Sequence, residues 1–256
     1  MKILKKTMQF SDSGIIISVR KYSESSLIVK VLSHNNGLYS GFVRGATSSQ
    51  KNRVIYQNFN LVDFEWSAKV EDNLGFFKIE LQKSFLADII SSPFKISALG
   101  AISHLIEQNV LEREPVAEIF SGLLKLLQKL SLEDEFFLKQ YIQFEMDLLQ
   151  ILGYGIDLSE CAATGTTEDL RFVSPKSARA VCQAAGEKYR DKLLILPQFL
   201  LENNELKTDK EDLLNGLKLS GFFIERHLME RPKIESKAEI FNLRKQLINL
   251  VSKAEF

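Results

Sequence analysis

The chain has 256 residues, with 33 Lys or Arg against 33 Asp or Glu and only two cysteines. Its 45% apolar and 26% charged residues exclude wholesale disorder, and two cysteines exclude a disulfide-stapled secreted scaffold. Neither Met1 to Thr7 nor any later stretch has the apolar run of a signal peptide or of a membrane span of about 20 residues, so a cytoplasmic chain is the expectation.

The first third alternates β-branched and aromatic residues in short runs separated by turn residues, the period of strands. Gly14 to Arg20 predicts a strand, Tyr22 to Ser25 a turn, and Ser26 to Leu32 a second strand. His34-Asn35-Asn36-Gly37 is a hairpin signal, because Asn and Gly tolerate positive φ. Leu38 to Val43 is a third strand, Gly45 to Asn58 reads as a loop, and Phe59–Trp66 and Leu74–Leu81 supply two more strands. Five short antiparallel strands within residues 1–83 suit a small closed barrel, which removes exposed sheet edges. A five-stranded OB barrel leads and an SH3-like barrel is the rival.

From residue 84 to 256 the period is helical, so the fold class is α+β. Phe85 to Ile90 starts a helix that Ser92-Pro93 interrupts; Ile96, Leu99, Ile102, Leu105 and Ile106 then share one face. Pro115 suits a first turn ahead of Ile119, Leu123, Leu126, Leu127 and Leu130. Acidic Glu133-Asp134-Glu135 opens the next helix, with Phe137, Tyr141, Phe144, Leu148 and Ile151 as its stripe and Gly153 as its stop. Asp209–Leu228 and Ser236–Val251 are the last two helices.

Charge divides with the secondary structure. Residues 1–83 hold 12 Lys or Arg against 7 Asp or Glu, a balance of +5, which leaves −5 for the remainder. A basic part points to nucleic acid or membrane contact, although a split of this size also arises by ordinary fluctuation. An OB barrel binds single strands by combining a basic groove with aromatic faces. The candidate DNA-binding residues are Arg20, Lys21, Lys30, Arg44, Lys51 and Arg53, with Tyr22, Tyr39, Phe42 and Tyr56 as aromatics whose other role is core packing. Arg44 at a strand end and Lys51 and Arg53 in the following loop lead this set, because loops on a rigid scaffold carry function.

Cys161-x2-Thr164-x17-Cys182-x2-Ala185 has the spacing of a four-thiolate zinc ribbon with the second thiol of each pair replaced. Half a motif also reads as two unrelated buried thiols, and no metal or other cofactor is expected. Catalytic signatures are missing: there is no phosphate loop, no G-x-S-x-G elbow and no H-E-x-x-H helix, so a non-enzymatic chain is the reading. His104 falls beside core positions and reads as a structural histidine.

Several blocks, taken in order, resemble the bacterial recombination-mediator family RecO. They are Gly14 to Ser25, Gly37-Leu38-Tyr39-Ser40, Arg44-Gly45-Ala46, Gln57-Asn58-Phe59, Phe144 to Leu149 with Leu152-Gly153-Tyr154, Asp157-Leu158 and Cys161, then Arg226-His227-Leu228 and Ser236-Lys237. The resemblance implies an OB fold, a helical bundle, and a zinc-ribbon insertion, here about residues 154–198, that many members have lost as a metal site. It implies binding of single- and double-stranded DNA and annealing of complementary strands. It also implies help in loading the RecA recombinase onto DNA coated with single-strand-binding protein, through RecR and the acidic, apolar C-terminal tail of that protein, in a nucleoid-associated setting. This chain departs from the pattern at Thr164 and Ala185, and its Thr47-Ser48-Ser49-Gln50 loop is less basic. Against the DNA mediator stands a helical protein–protein adaptor whose barrel docks a partner; the two differ in salt response, since phosphate binding releases counterions.

Overall fold

A computed structural model describes residues 8–46, 50–69, 74–201, 208–229 and 234–255. The chain divides into two units, Met1–Ser91 with Leu105–Gln128, and Ser92–His104 with Lys129–Phe256. The sequence boundary at residue 83 marks the end of the last strand of the first unit, and the segment 105–128 groups with those strands.

In the first unit, β1 (Met8–Lys21), β2 (Leu27–Ser33), β3 (Gly37–Val43), β4 (Leu61–Ala68) and β5 (Gly75–Lys83) close in the order β1-β2-β3-β5-β4. β1 is twice the predicted length because it serves two partners: its first half pairs with β4 and its second half with β2, with a bulge between Ile16 and Ser18. The expected all-antiparallel pairing is corrected at one seam. β3 and β5 run parallel, joined at Gly41↔Gly75 and Phe42↔Phe76, and this non-local pairing closes the sheet. Ile16, Val31, Val62, Phe64, Trp66 and Phe77 fill the interior, and the Trp66 indole donates to the Ser40 carbonyl at 3.1 Å.

The β2–β3 turn forms where the sequence places it. The Asp12 carboxylate accepts from Ser33 and from the Asn35 and Asn36 side chains, and from the Asn35 backbone N–H at 2.9 Å. Gly37 has φ +86°, and a β-carbon there would lie 2.0 Å from the Glu114 carbonyl oxygen, so only glycine fits. Within the predicted loop 45–58 the chain forms a short helix, α1 (Gln50–Ile55). Partners on other segments stabilise it: the Asn60 amide donates to the Val54 and Ile55 carbonyls, and the Asn52 amide to Gly45.

The helices follow as α2 (Leu86–Ile90), α3 (Pro93–Asn109), α4 (Ala117–Gln128) and α5 (Asp134–Ile151). α4, which packs on β1 and β2, starts two residues after Pro115 rather than at it, and its predicted apolar stripe is buried. Ile96 is a correction: it is 47% exposed, because Lys95 turns inward instead and reaches the Leu132 carbonyl at 3.2 Å and Asp134 at 3.6 Å. Gly153, at φ +87°, ends α5 by letting the Tyr154 N–H reach back to the Leu149 carbonyl at 2.8 Å and its own N–H to Gln150 at 3.0 Å.

In the second unit, β6 (Leu170–Val173), β7 (Ala180–Cys182) and β8 (Leu194–Ile195) form a three-stranded antiparallel sheet, followed by α7 (Lys210–His227) and α8 (Ile234–Lys253); α6 (Gln183–Gly186) is one short turn after β7. Asp209 caps α7 by accepting from the Asp212 N–H at 2.8 Å. α5, α7 and α8 meet at a buried polar knot. Glu145, fully buried, accepts from Tyr141 at 2.5 Å, from Ser220 at 2.6 Å and from Arg244, whose other guanidinium nitrogen donates to the Leu217 carbonyl at 2.8 Å. His104 lies 3.4 Å from Glu239. Among the described residues no helix is long and apolar enough to cross a membrane.

Candidate nucleic-acid interface

The outer face of the barrel follows from strand alternation. On β5, Phe77 points into the core and Phe76 out, at 41% exposure; on β3, Phe42 is the outward neighbour of buried Gly41 and Val43. Register then places Arg20, Ile28, Phe42 and Phe76 side by side across β1, β2, β3 and β5. Tyr22, just past the end of β1 and 63% exposed, meets Phe42 edge-on at 4.8 Å, and Phe42 meets Phe76 at 5.8 Å. The Arg44 guanidinium caps the run 4.5 Å above the Phe76 ring.

The six candidate cations divide. Arg44 and Lys21 are exposed near this aromatic run, and Arg53 is exposed on α1. Lys51 lies on α1, but its side chain falls outside the described residues, as does the Thr47–Ser49 stretch. Arg20 and Lys30 are engaged within the unit. Glu107 sits 2.6 Å from Arg20 and 3.6 Å from Lys30, and Glu112 lies 3.4 Å from Lys30. Lys30 is only 19% exposed, whereas Arg20 keeps 63%. Nothing local in the sequence announces this pairing, since the carboxylates are about 80 residues away. Tyr39, read as a possible base platform, packs inward against Phe10 at 4.8 Å and Trp66 at 5.0 Å. Tyr56 is half-buried against the core. Phe76 is the aromatic the sequence reading left out; the signal was its place in the Phe76-Phe77 pair, where alternation must send one ring to solvent.

Cys161 and Cys182 come together at the edge of the small sheet. The Cys182 N–H donates to the Cys161 sulfur at 3.2 Å, and the Thr164 hydroxyl lies 3.7 Å from the Cys182 sulfur. The turn closes through Gly165 N–H to the Cys161 carbonyl at 2.8 Å and Cys161 N–H to Thr166 at 2.7 Å. Burial pushes the Cys161 thiol up, but hydrogen bonds from Thr164 and from the N–H groups of Cys182, Ala163 and Thr164 outweigh it and bring the thiol down to about 6. The donor set does not fit a tetrahedral zinc. The other two ribbon positions offer a hydroxyl and a methyl, Asp157 and Glu160 are paired to Arg179 at 3.2 and 3.0 Å, and Asp169 is paired to Arg171. Among the described residues no group of three or more His, Cys, Asp or Glu is placed to hold a metal.

A groove of about 1390 Å³ in the second unit is walled by Met146, Ile156, Leu158, Leu170 and Phe199, with Asp147 and Asp157 on its lining. Lys139 lies 5.7 Å over the Phe199 ring and Arg179 is paired to Asp157 at 3.2 Å, so both signs of charge border this groove.

An outward aromatic row lies beside exposed cations on the small closed sheet of the first unit. Comparison with known proteins gives the family. Residues 8–85 match the family model described as Recombination protein O N terminal, and residues 90–236 match Recombination protein O C terminal. The chain is 40% identical over 234 residues to DNA repair protein RecO of Rickettsia canadensis (strain McKiel), covering 91% of this chain and 95% of that one. It is 40% identical over 233 residues to the same-named protein of Rickettsia typhi (91% and 97% covered), and 38% identical over 239 residues to that of Bartonella tribocorum (92% and 94% covered). The chain belongs to the RecO family of DNA repair proteins.

Proposed function

We propose that this chain is a non-enzymatic recombination mediator whose barrel is an OB fold and binds single- and double-stranded DNA. It anneals complementary strands and helps the RecA recombinase onto DNA coated with single-strand-binding protein, with RecR and the acidic tail of the coating protein as partners. Residues 1–83 are the DNA-binding domain, residues 84–256 the helical domain, and residues 154–198 a zinc ribbon that has lost two of its donors. The observation that carries the reading is the exposed Arg44 with the outward aromatic row, within the residues 1–83 that hold the basic charge balance. Arg44, Lys51 and Arg53 make the principal phosphate contacts. Arg20 and Lys30 contribute less, because a phosphate has to displace Glu107 and Glu112 to reach them.

The test is binding of labelled single-stranded DNA across a salt series. Each phosphate neutralised on a single strand contributes about 0.7 to the slope of log K against log salt, so the Arg44→Ala/Lys51→Ala/Arg53→Ala variant should lose roughly 2 units of slope on all sequences alike. An unchanged slope in the folded variant removes these residues from the interface. Loss-free binding to a protein partner with no DNA binding at all supports the adaptor instead.

A further inference from the structure

We propose that Tyr22, Phe42 and Phe76 form a stacking platform for unpaired bases, which makes this face of the barrel selective for single strands. The assignment rests on the DNA-binding reading above and names the part of that surface which tells a single strand from a duplex.

The rings are not needed inside. The barrel interior is filled by Phe64, Trp66 and Phe77 together with the aliphatic residues, and Phe10 and Tyr39 pack against that core. Tyr22 and Phe76 instead spend 63% and 41% of their surface on water. Scattered exposed rings need no explanation, but these three are contiguous, at 4.8 and 5.8 Å between centroids, and the β3–β5 seam fixes two of them in register. Strands β3 and β5 set Phe42 and Phe76, and the turn closed by the Tyr22 N–H to the Ser26 carbonyl at 3.0 Å sets Tyr22, so the platform exists before a ligand arrives and little ordering entropy is lost on binding.

Charge decides the occupant. Arg44 lies over the Phe76 ring at one end of the run, where its guanidinium plane is itself a surface for a base to stack on, and Arg20, 63% exposed although paired to Glu107, shares the cross-strand row with Phe42 and Phe76 at the other. Cations flanking a strip of ring faces match a polymer that alternates phosphates with flat aromatic bases. A duplex buries its base faces in its own stack and offers only phosphates and groove edges, so the rings distinguish the two forms while the cations do not. Stacking also tolerates every base, as a mediator acting on any sequence requires.

The experiment compares three labelled ligands of equal length: oligothymidylate, an abasic strand and a duplex. Each is titrated by fluorescence anisotropy into the wild-type chain and into Tyr22→Ser/Phe76→Ser. Both substitutions are on exposed rings, and retention of the wild-type melting temperature confirms the fold. Base–aromatic stacking of about 1–3 kcal/mol per base corresponds to roughly 5- to 150-fold per lost ring. The wild-type chain should therefore bind oligothymidylate at least 10-fold tighter than the abasic strand, a comparison independent of any variant. In the variant that advantage should fall at least about 5-fold, to what Phe42 alone supplies, while abasic and duplex binding hold. Equal wild-type affinity for the base-bearing and abasic strands overturns the platform and leaves the DNA reading intact. So does a variant that loses all three ligands together or none. Failure of the wild-type chain to bind any of the three at low salt overturns the DNA reading itself.

Discussion

The knot at Glu145 allows a strong prediction, because its partners come from three helices and one of its charges has no other outlet. Glu145 is 0% exposed and Arg244 6%, and the pair is completed by the hydroxyls of Tyr141 and Ser220 and by the Leu217 carbonyl. Arg244→Met leaves the carboxylate buried with two hydroxyl donors. Glu145→Leu leaves the guanidinium buried with carbonyl and hydroxyl acceptors but no counter-charge. Breaking a buried pair from either side costs about 3–5 kcal/mol, so the two single losses together come to roughly 6–10 kcal/mol. The double variant strands no charge. Its remaining cost is the Tyr141 hydroxyl, left without its acceptor and worth about 1–3 kcal/mol, since Ser220 keeps the Gly216 carbonyl at 3.1 Å. The double variant should thus be more stable than either single one, with a coupling of at least about 3 kcal/mol. Urea unfolding followed by the far-UV helix signal reads the loss in α5, α7 and α8. Trp66, the only tryptophan, is buried in the barrel, and its fluorescence should be little changed at the same urea concentrations. Additive losses in the double variant would refute the assignment of the cost to a stranded charge.

Three further outcomes are expected. Asp12 organises the β2–β3 turn; burial pushes its carboxyl up, but hydrogen bonds from Ser33, Asn35 and Asn36 outweigh that and hold it below the usual carboxylate range. Its contribution is therefore complete above the ordinary Asp value and lost as pH falls through the lower folded one, and Asp12→Ala should cost about 1–2 kcal/mol at neutral pH and nothing in strong acid, as read by Trp66 fluorescence. Cys161 should show its ultraviolet thiolate band titrating near about 6, with the midpoint moving up in Thr164→Val. Because the folded value is depressed, the thiolate stabilises its segment fully above the ordinary thiol value, and that contribution disappears as pH falls through about 6. Protein purified without chelator should hold no stoichiometric zinc; one zinc per chain would show that the donor set has been misjudged.

The features legible in the sequence are the ones governed by neighbours a few residues apart. The His34–Gly37 turn, the stop at Gly153, the restart at Pro93 and the switch from period 2 to helical period near residue 83 depend on φ preferences and side-chain spacing, and these are properties of short peptides. The Cys161-x2-Thr164-x17-Cys182-x2-Ala185 spacing is legible for the same reason. Tertiary structure decided whatever required distant segments to meet. The length of β1 needed β4 on its far edge, and the parallel seam at Gly41 and Gly75 needed closure of the whole sheet. The six residues of α1 needed Asn60, and the turning-in of Lys95 in place of Ile96 needed Leu132 and Asp134. The candidate interface shows the same division. Residue types and net charge marked the first 83 residues as the basic part, but charge counts treat every cation alike. Glu107, almost 90 residues from Arg20 and nearly 80 from Lys30, engages both, and Phe76 joins the aromatic row only through its pairing with Phe42. Loop closure over such distances is repaid by burial and charge pairing that local propensities do not contain, so residue types were readable from the sequence while their partners were not.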